Sequence, residues 1–299
     1  MESLSRAPIL VTGMHRSGTT WVGRMLSASR EAVYFHEPLN PTCAPVLLRR
    51  EVETQYLYVT EENEREYLDA FRRLLSFPLD SALLEQSRGQ QLRRVGRLLH
   101  AKLTRARAVL KDPFAVFSIP WFARRLGAQV VVVVRHPLAV VGSTKRLNWG
   151  FDTRSLLSQP LLLRDRFEPV RPELESPPTN IIGQAALLWR LVYGLVHDQQ
   201  QELPQIRVIR HEDLSRDPVP EFERLYRDLG LSFTGRARRA VERTTSPANP
   251  AETAVAEPDA IELDSRANLE SWSRRLDPDE IEIVRRQTGE LARAFYPEL

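Results

Sequence analysis

The sequence predicts an α/β fold, a three-layer sandwich with a central parallel sheet, and three observations predict it. β-prone runs alternate with amphipathic helical stretches along the 299 residues, with no internal repeat. The run Gln129-Val130-Val131-Val132-Val133-Val134 is uninterrupted and β-branched, as in a strand buried on both faces. The stretch from Ile9 to Trp21 passes from an apolar strand through a loop bounded by Gly13 and Gly18 into a helix apolar at Trp21, Val22, Met25 and Leu26. Such a loop turns successive N–H groups toward one point, and the helix dipole adds positive charge there. A phosphate-like anion is the natural guest.

The remaining elements follow in order. Ala32 to His36 reads as a second strand ending at Glu37-Pro38. From 40 to 106 the pattern is that of a helical insertion, with Tyr67, Phe71, Leu74 and Leu75 on one face and Leu92, Val95, Leu98, Leu99 and Leu103 on another. A third strand, Ala108 to Leu110, runs into Lys111-Asp112-Pro113, and Phe114 to Leu126 reads as a helix kinked or restarted at Pro120. The fourth strand, Gln129 to Val134, stops at Arg135-His136-Pro137, and Pro137 suits the first position of a helix to Arg146. Arg135 therefore stands at the carboxyl end of a central strand, the edge where open α/β sheets bind ligands. The segment 150–180, with prolines at 160, 169, 172, 177 and 178, reads as irregular, a cover or a substrate-contacting loop. A long helix from Asn180 to Glu202, a strand from Gln205 to Ile209, and helices at 219–229 and 235–243 come next. Residues 245–265 read as a surface loop, and a helix from Pro278 to Phe295, capped by Asp277, closes the chain. The whole reads as a single domain, 1–299.

Composition excludes several classes. A net charge of +3 without a dense basic block argues against nucleic acid. Cys43 is the sole cysteine, so neither an intramolecular disulfide nor a cysteine-based zinc cluster can form. With neither a signal-like segment nor a long apolar run, the expectation is a cytoplasmic protein without a membrane span. Oligomeric state is not legible.

The Gly13–Gly18 spacing is that of a Walker A loop, but Thr19 stands where the lysine belongs, and the nearest cation is Arg16. A guanidinium there suits a multi-oxygen anion and can neutralise charge without a metal.

Arg16-Ser17-Gly18-Thr19-Thr20-Trp21 resembles the 5′-phosphosulfate loop of sulfotransferases that use 3′-phosphoadenosine 5′-phosphosulfate (PAPS). Arg135 and Ser143, eight residues apart, resemble the pair that grips the 3′-phosphate. Lys111-Asp112-Pro113-Phe114-Ala115 is similar to a segment of the tyrosylprotein sulfotransferases, whose lysine helps hold the sulfuryl group. Glu37 follows Arg16 by twenty-one residues, as the general base of those enzymes follows their loop arginine, and His36-Glu37-Pro38-Leu39 resembles a step of carbohydrate sulfotransferases. His36 is the rival base; strand alternation points the two side chains oppositely, so one should face the cleft. Arg210-His211-Glu212-Asp213-Leu214 resembles a nucleotide-contacting segment in which His211 replaces a tyrosine. Thr244 and Arg266 are further cofactor contacts by likeness to the late loops of the family.

The resemblance implies a P-loop nucleoside triphosphate hydrolase-like sulfotransferase fold. It implies transfer of a sulfuryl group from PAPS to a hydroxyl of a sugar, phenol, lipid alcohol or peptide tyrosine, releasing 3′,5′-adenosine bisphosphate (PAP). Arg16, Glu37 and Lys111 would be catalytic; Arg16, Ser17, Gly18, Thr19, Thr20, Arg135, Ser143, His211, Thr244 and Arg266 would bind the co-substrate; no metal is needed. Two alternatives share the fold: a kinase-like P-loop enzyme, disfavoured by Thr19 and by the lack of a clear strand-end aspartate for Mg²⁺, and a nucleotide-binding module without catalysis.

Overall fold

Five strands, Ile9–Thr12 (β1), Ala32–His36 (β2), Arg107–Lys111 (β3), Gln129–Val134 (β4) and Arg207–Arg210 (β5), form one parallel sheet in the order β2-β3-β1-β4-β5 in a computed structural model. The structure describes residues 6–45, 47–49, 51–77, 96 and 98–298. Registers such as Ile9 with Val109 and with Gln129 align β1, β3 and β4, so their carboxyl ends open on one rim.

Alternation along each strand splits the core in two. Leu10, Leu110, Val130, Val132 and Val134 join one buried cluster, whereas Ile9, Val11, Val109, Val131 and Val133 join another on the opposite face. That period of two, with both sets buried, is why β4 has no polar residue inside it. The first face is covered by the long helix Ile181–Glu202 and by the insertion, whose helix Arg65–Leu75 buries Tyr67, Phe71, Leu74 and Leu75 as expected. The second is covered by the loop helix Thr19–Leu26 (α1) and by helices Pro218–Asp228 and Gly235–Thr244. The closing helix Pro278–Phe295 starts with a full capping box between Asp277 and Glu280.

Three expectations change. Leu99 is 42% and Leu103 84% exposed, so the second apolar face of the insertion does not hold there, and Leu92 and Val95 lie outside the described residues. Segment 150–180 is not irregular: it is a chain of short helical pieces, and Pro160, Pro169 and Pro172 sit in first turns, where proline fits. Phe114 to Leu126 divides into a 3₁₀ turn, Pro113–Ser118, and a helix, Ile119–Arg125. No helix among the described residues is long and apolar enough to cross a membrane.

Candidate active site

The loop after β1 is built by close approach. Gly13 has φ 138° and Gly18 φ 93°; a Cβ on the first would run into the Val133 carbonyl, and one on the second into the His211 ring. Tyr193, fully buried, braces the loop from below: its hydroxyl donates to the Val133 carbonyl at 2.9 Å and accepts from the Met14 N–H at 3.2 Å. That uses its one proton, so Ser17 donates in their 2.6 Å contact. Ser17 N–H is also taken, by the Met14 carbonyl. The cap of α1 is Gly18, with no side-chain hydrogen bond, so the first N–H groups of the helix are left for a ligand in the cavity that Gly18, Thr19, Thr20 and Trp21 line.

The two arginines share this rim. Arg135 Nη1 donates to the Arg16 carbonyl at 3.1 Å and Nη2 to Asn268 Oδ1 at 2.6 Å, while its Nε is buried without a partner. Arg16 has a left-handed backbone, φ 68°, and its Nε donates to Ser143 Oγ at 3.2 Å. Burial, then the nearby Arg135 charge, pushes Arg16 down to about 10, which leaves it a cation at neutral pH.

At the other end of the rim, Lys111 Nζ and Glu37 Oε1 form a buried ion pair, with the lysine side chain 0% and the glutamate 12% exposed. Asn40 Nδ2 donates to the second Glu37 oxygen at 2.5 Å. Burial pushes the Glu37 carboxyl up, but the Lys111 charge and the hydrogen bonds from Lys111 and Asn40 outweigh it, and the net direction is down. Asp112 stands at the end of β3, where a kinase-like enzyme could hold Mg²⁺. Both its oxygens are engaged, however, accepting the Leu39 and Phe114 N–H groups at 2.5 and 2.9 Å, and it does not line the cavity.

A sequence model of the sulfotransferase family matches residues 8–235. The chain belongs to the sulfotransferase family. Solved sulfotransferases share its fold: the sulfotransferase domain from the curacin biosynthetic pathway is 15% identical over 97% of this chain and 99% of that one, with a TM-score of 0.56. The sulfotransferase domain of the Synechococcus PCC 7002 olefin synthase is 17% identical, with 95% of each chain covered and a TM-score of 0.50. A mouse sulfotransferase complexed with PAP superposes less closely, at 12% identity over 96% and 84% of the two chains and a TM-score of 0.43. No curated protein matches the sequence significantly.

In this sulfotransferase most of the residues singled out by sequence come to one cavity. Arg16, Gly18, Thr19, Thr20, Glu37, Arg135, His211 and Thr244 line it. Lys111 and Ser143 stand directly behind, each hydrogen-bonded to a lining residue. Ser17 is a brace for the loop, with side chain and N–H both engaged. Arg266 is turned away: its guanidinium donates to the Arg216 carbonyl at 2.7 Å and is 73% exposed. Of His36 and Glu37 one faces the cavity, as expected, but Glu37 stands beyond the strand with φ 43°, so its direction is set by the turn and not by strand alternation. The ligating atoms of His36, Glu37 and Cys43 consequently lie within 4.8 Å of one another, although Glu37 lines the cavity and His36 does not.

Sequence reasoning missed Ser215, one helical turn after His211, whose buried hydroxyl has no partner, and the buried His211 Nδ1 is likewise unpaired. The i, i+4 spacing on Arg210-His211-Glu212-Asp213-Leu214-Ser215 was the available signal. It also missed that the strap from 251 to 264 covers the cavity: the Pro258 carbonyl accepts from Arg16 Nη1 at 2.8 Å, and Asp259 lies 3.9 Å from the same group.

The family member's buried imidazoles set a pH dependence. Burial holds His15 and His136 down at about 4 and His211 well below its ordinary value, while burial pushes the Asp112 carboxyl up to about 7. Between pH 5 and 6 the unfolded chain binds three more protons on the histidines and the folded chain one more on Asp112. Stability from the histidines is complete above their unfolded value and is lost as pH falls; Asp112 opposes this in part. Denaturant titrations are expected to give an unfolding free energy lower at pH 5 than at pH 6 by up to about 2 to 3 kcal/mol. Equal values would mean that these imidazoles are free to protonate in the folded chain.

Proposed function

We propose that this chain is a PAPS-dependent sulfotransferase that moves a sulfuryl group to a hydroxyl acceptor. One observation supports the reading: the uncapped N-terminus of the loop helix, Arg16, Arg135 and Glu37 line one cavity, with Ser143 behind it on Arg16 and Lys111 behind it on Glu37. A doubly phosphorylated adenosine has anions at two ends, which suits the helix N-terminus and Arg135. Three buried polar atoms without partners, Arg135 Nε, His211 Nδ1 and Ser215 Oγ, fit the same donor, since its phosphate, ribose and base present both acceptors and donors.

In this reading the α1 N–H groups, Thr19 and Thr20 bind the 5′-phosphosulfate, and Arg135 with Ser143 holds the 3′-phosphate. Glu37 takes the proton of the acceptor hydroxyl as its oxygen attacks sulfur; a bond from that oxygen to sulfur forms as the bond from sulfur to the phosphate oxygen breaks, and PAP leaves. Arg16 and Lys111 neutralise the charge that grows on the bridging and sulfonyl oxygens. Lys111 must then share its charge between Glu37 and the sulfuryl group, which releases the carboxylate to act as a base only when the donor is seated.

Calorimetry with PAP tests the donor. The expected result is PAP binding with no competition from ATP–Mg²⁺, and in Arg135→Ala a PAP Kd raised about thirtyfold or more, the cost of removing one partner of a buried charge contact. Preference for ATP–Mg²⁺ would move the chain to the kinase-like reading. Tight PAP binding with no transfer of label from ³⁵S-PAPS to any acceptor pool would make it a binding module.

A further inference from the structure

Glu37 presents its two oxygens to different neighbours. Oε1 meets the buried Lys111 ammonium; at Oε2, Asn40 Nδ2 donates at 2.5 Å and Cys43 Sγ stands 3.7 Å away. His36, the last residue of β2, completes a cluster in which a ring nitrogen, the Cys43 sulfur and a Glu37 oxygen all lie within 4.8 Å of one another. Glu37 lines the cavity, whereas His36 and Cys43 are exposed and do not. The cluster therefore reaches the carboxylate from outside the cavity lining.

Imidazole, thiolate and carboxylate are the ordinary ligands of Zn²⁺, and at its bond lengths the ligand atoms of one tetrahedral site stand roughly 3.3 to 3.6 Å apart. The sulfur and Oε2 are close to that separation already, and rotation of the exposed His36 side chain closes the rest. A sole cysteine excludes a cysteine-rich zinc cluster, but it suffices as one ligand of a mixed site.

The bonding around Glu37 leaves room for the ion. An ionised carboxylate has about four lone-pair positions, of which Lys111 and Asn40 take two. The weak contact from the thiol is the one an ion replaces: a metal–sulfur bond forms, the sulfur's proton goes to solvent, and thiolate with carboxylate matches a charge of 2+. Outer partners steady the ligands, as they do in metal sites. The Tyr34 hydroxyl meets His36 Nδ1 at 2.9 Å, and Asn40 Oδ1 accepts from the Thr42 N–H and hydroxyl at 3.0 and 2.8 Å.

We infer that His36, Glu37 and Cys43 bind a thiophilic divalent cation of the Zn²⁺ class, and that the bound ion inhibits sulfuryl transfer by taking the Glu37 carboxylate from the acceptor. The second half rests on the PAPS reading with Glu37 as base; the first does not. A carboxylate bonded to a dication loses proton affinity, so the acceptor hydroxyl keeps its proton and attack on sulfur slows. A metal that activated the acceptor would need its open position on the cavity, and two of these three ligands lie outside the lining.

Equilibrium dialysis of the untagged full chain against ZnCl₂ tests the site. One Zn²⁺ per chain is expected at this site, with a Kd raised about hundredfold or more in Cys43→Ala and in His36→Gln, since a lost ligand costs at least what a lost outer partner does. With CoCl₂ instead, a thiolate-to-cobalt charge-transfer absorption is expected in the parent and not in Cys43→Ala, a change at an exposed position. No bound Zn²⁺, an unchanged Kd in both variants, or a parent cobalt spectrum without that absorption would overturn the site. The inhibition is read with ³⁵S-PAPS and an acceptor pool. ZnCl₂ is expected to slow transfer by the parent about tenfold or more, the least that loss of a general base removes, at a concentration about a hundredfold higher in Cys43→Ala, with the PAP Kd unmoved. Transfer unchanged or quickened by bound Zn²⁺ would overturn the inhibition. A chain that binds Zn²⁺ as expected but neither binds PAP nor transfers label without the metal overturns the PAPS reading and the inhibition with it, and supports the site.

Discussion

Arg16→Ala is expected to lower kcat by about a hundred- to a thousandfold, the effect of losing one preorganised donor aimed at developing negative charge, or about 3 to 4 kcal/mol. The reasons are local. Arg16 sits inside the anion loop, its side chain is 13% exposed to the cavity, and its guanidinium is held by Ser143, by the Pro258 carbonyl and by stacking at 5.6 Å over Trp149. None of these contacts supports the core, so the folded chain survives the substitution. Arg16→Lys keeps the charge but loses the fork that reaches Ser143 and Pro258 together, and an intermediate rate is expected. Single-turnover kinetics with PAP calorimetry on the same variants distinguishes lost chemistry from lost binding. A kcat within threefold of the parent would remove Arg16 from the mechanism.

What could be read from sequence was what the sheet edge dictates. A parallel α/β sheet brings every strand's carboxyl end to one rim, so Arg16, Glu37, Lys111, Arg135 and His211, each at or shortly beyond the end of a strand, had to converge once the strands were recognised. The part that was not legible depends on contacts between segments far apart in sequence. Ser215 shows in sequence only as the residue one turn after His211, and that spacing becomes informative once the fold places both on the cavity. The strap meets Arg16 across more than two hundred residues, and its composition of prolines, alanines and acids looks like any surface loop. Trp149 sits at the edge of a segment whose prolines suggested an irregular cover or substrate-contacting loop, although three of them begin helical turns. For His36 and Glu37 one side chain faces the cavity as expected, but not through strand alternation, which ends at the positive φ of Glu37.

The second large effect concerns stability and turnover together, through Lys111 and Glu37. Lys111 is wholly buried, among the largest side chains to be so. Lys111→Met leaves the Glu37 carboxylate largely desolvated with Asn40 and the weak Cys43 thiol as its side-chain donors, and Glu37→Gln leaves the Lys111 ammonium buried against a neutral amide. Each single variant is expected to lose about 3 to 5 kcal/mol of stability, because an unpaired buried charge costs more than the pair contributes. Lys111→Met with Glu37→Gln removes both charges, and the double variant is expected to recover most of that loss, a coupling of about 2 kcal/mol or more. Turnover should not follow: both singles and the double lose the base or the cation that steadies the sulfuryl oxygens, so all three are expected to be slow while PAP affinity, set at Arg135 and the loop, stays near that of the parent. Denaturant titrations on the four proteins check the first part and single-turnover kinetics the second. Additive stabilities would mean that the two groups are not a buried pair, and a double variant that regained its rate would mean that neither carboxylate nor ammonium takes part in the chemistry.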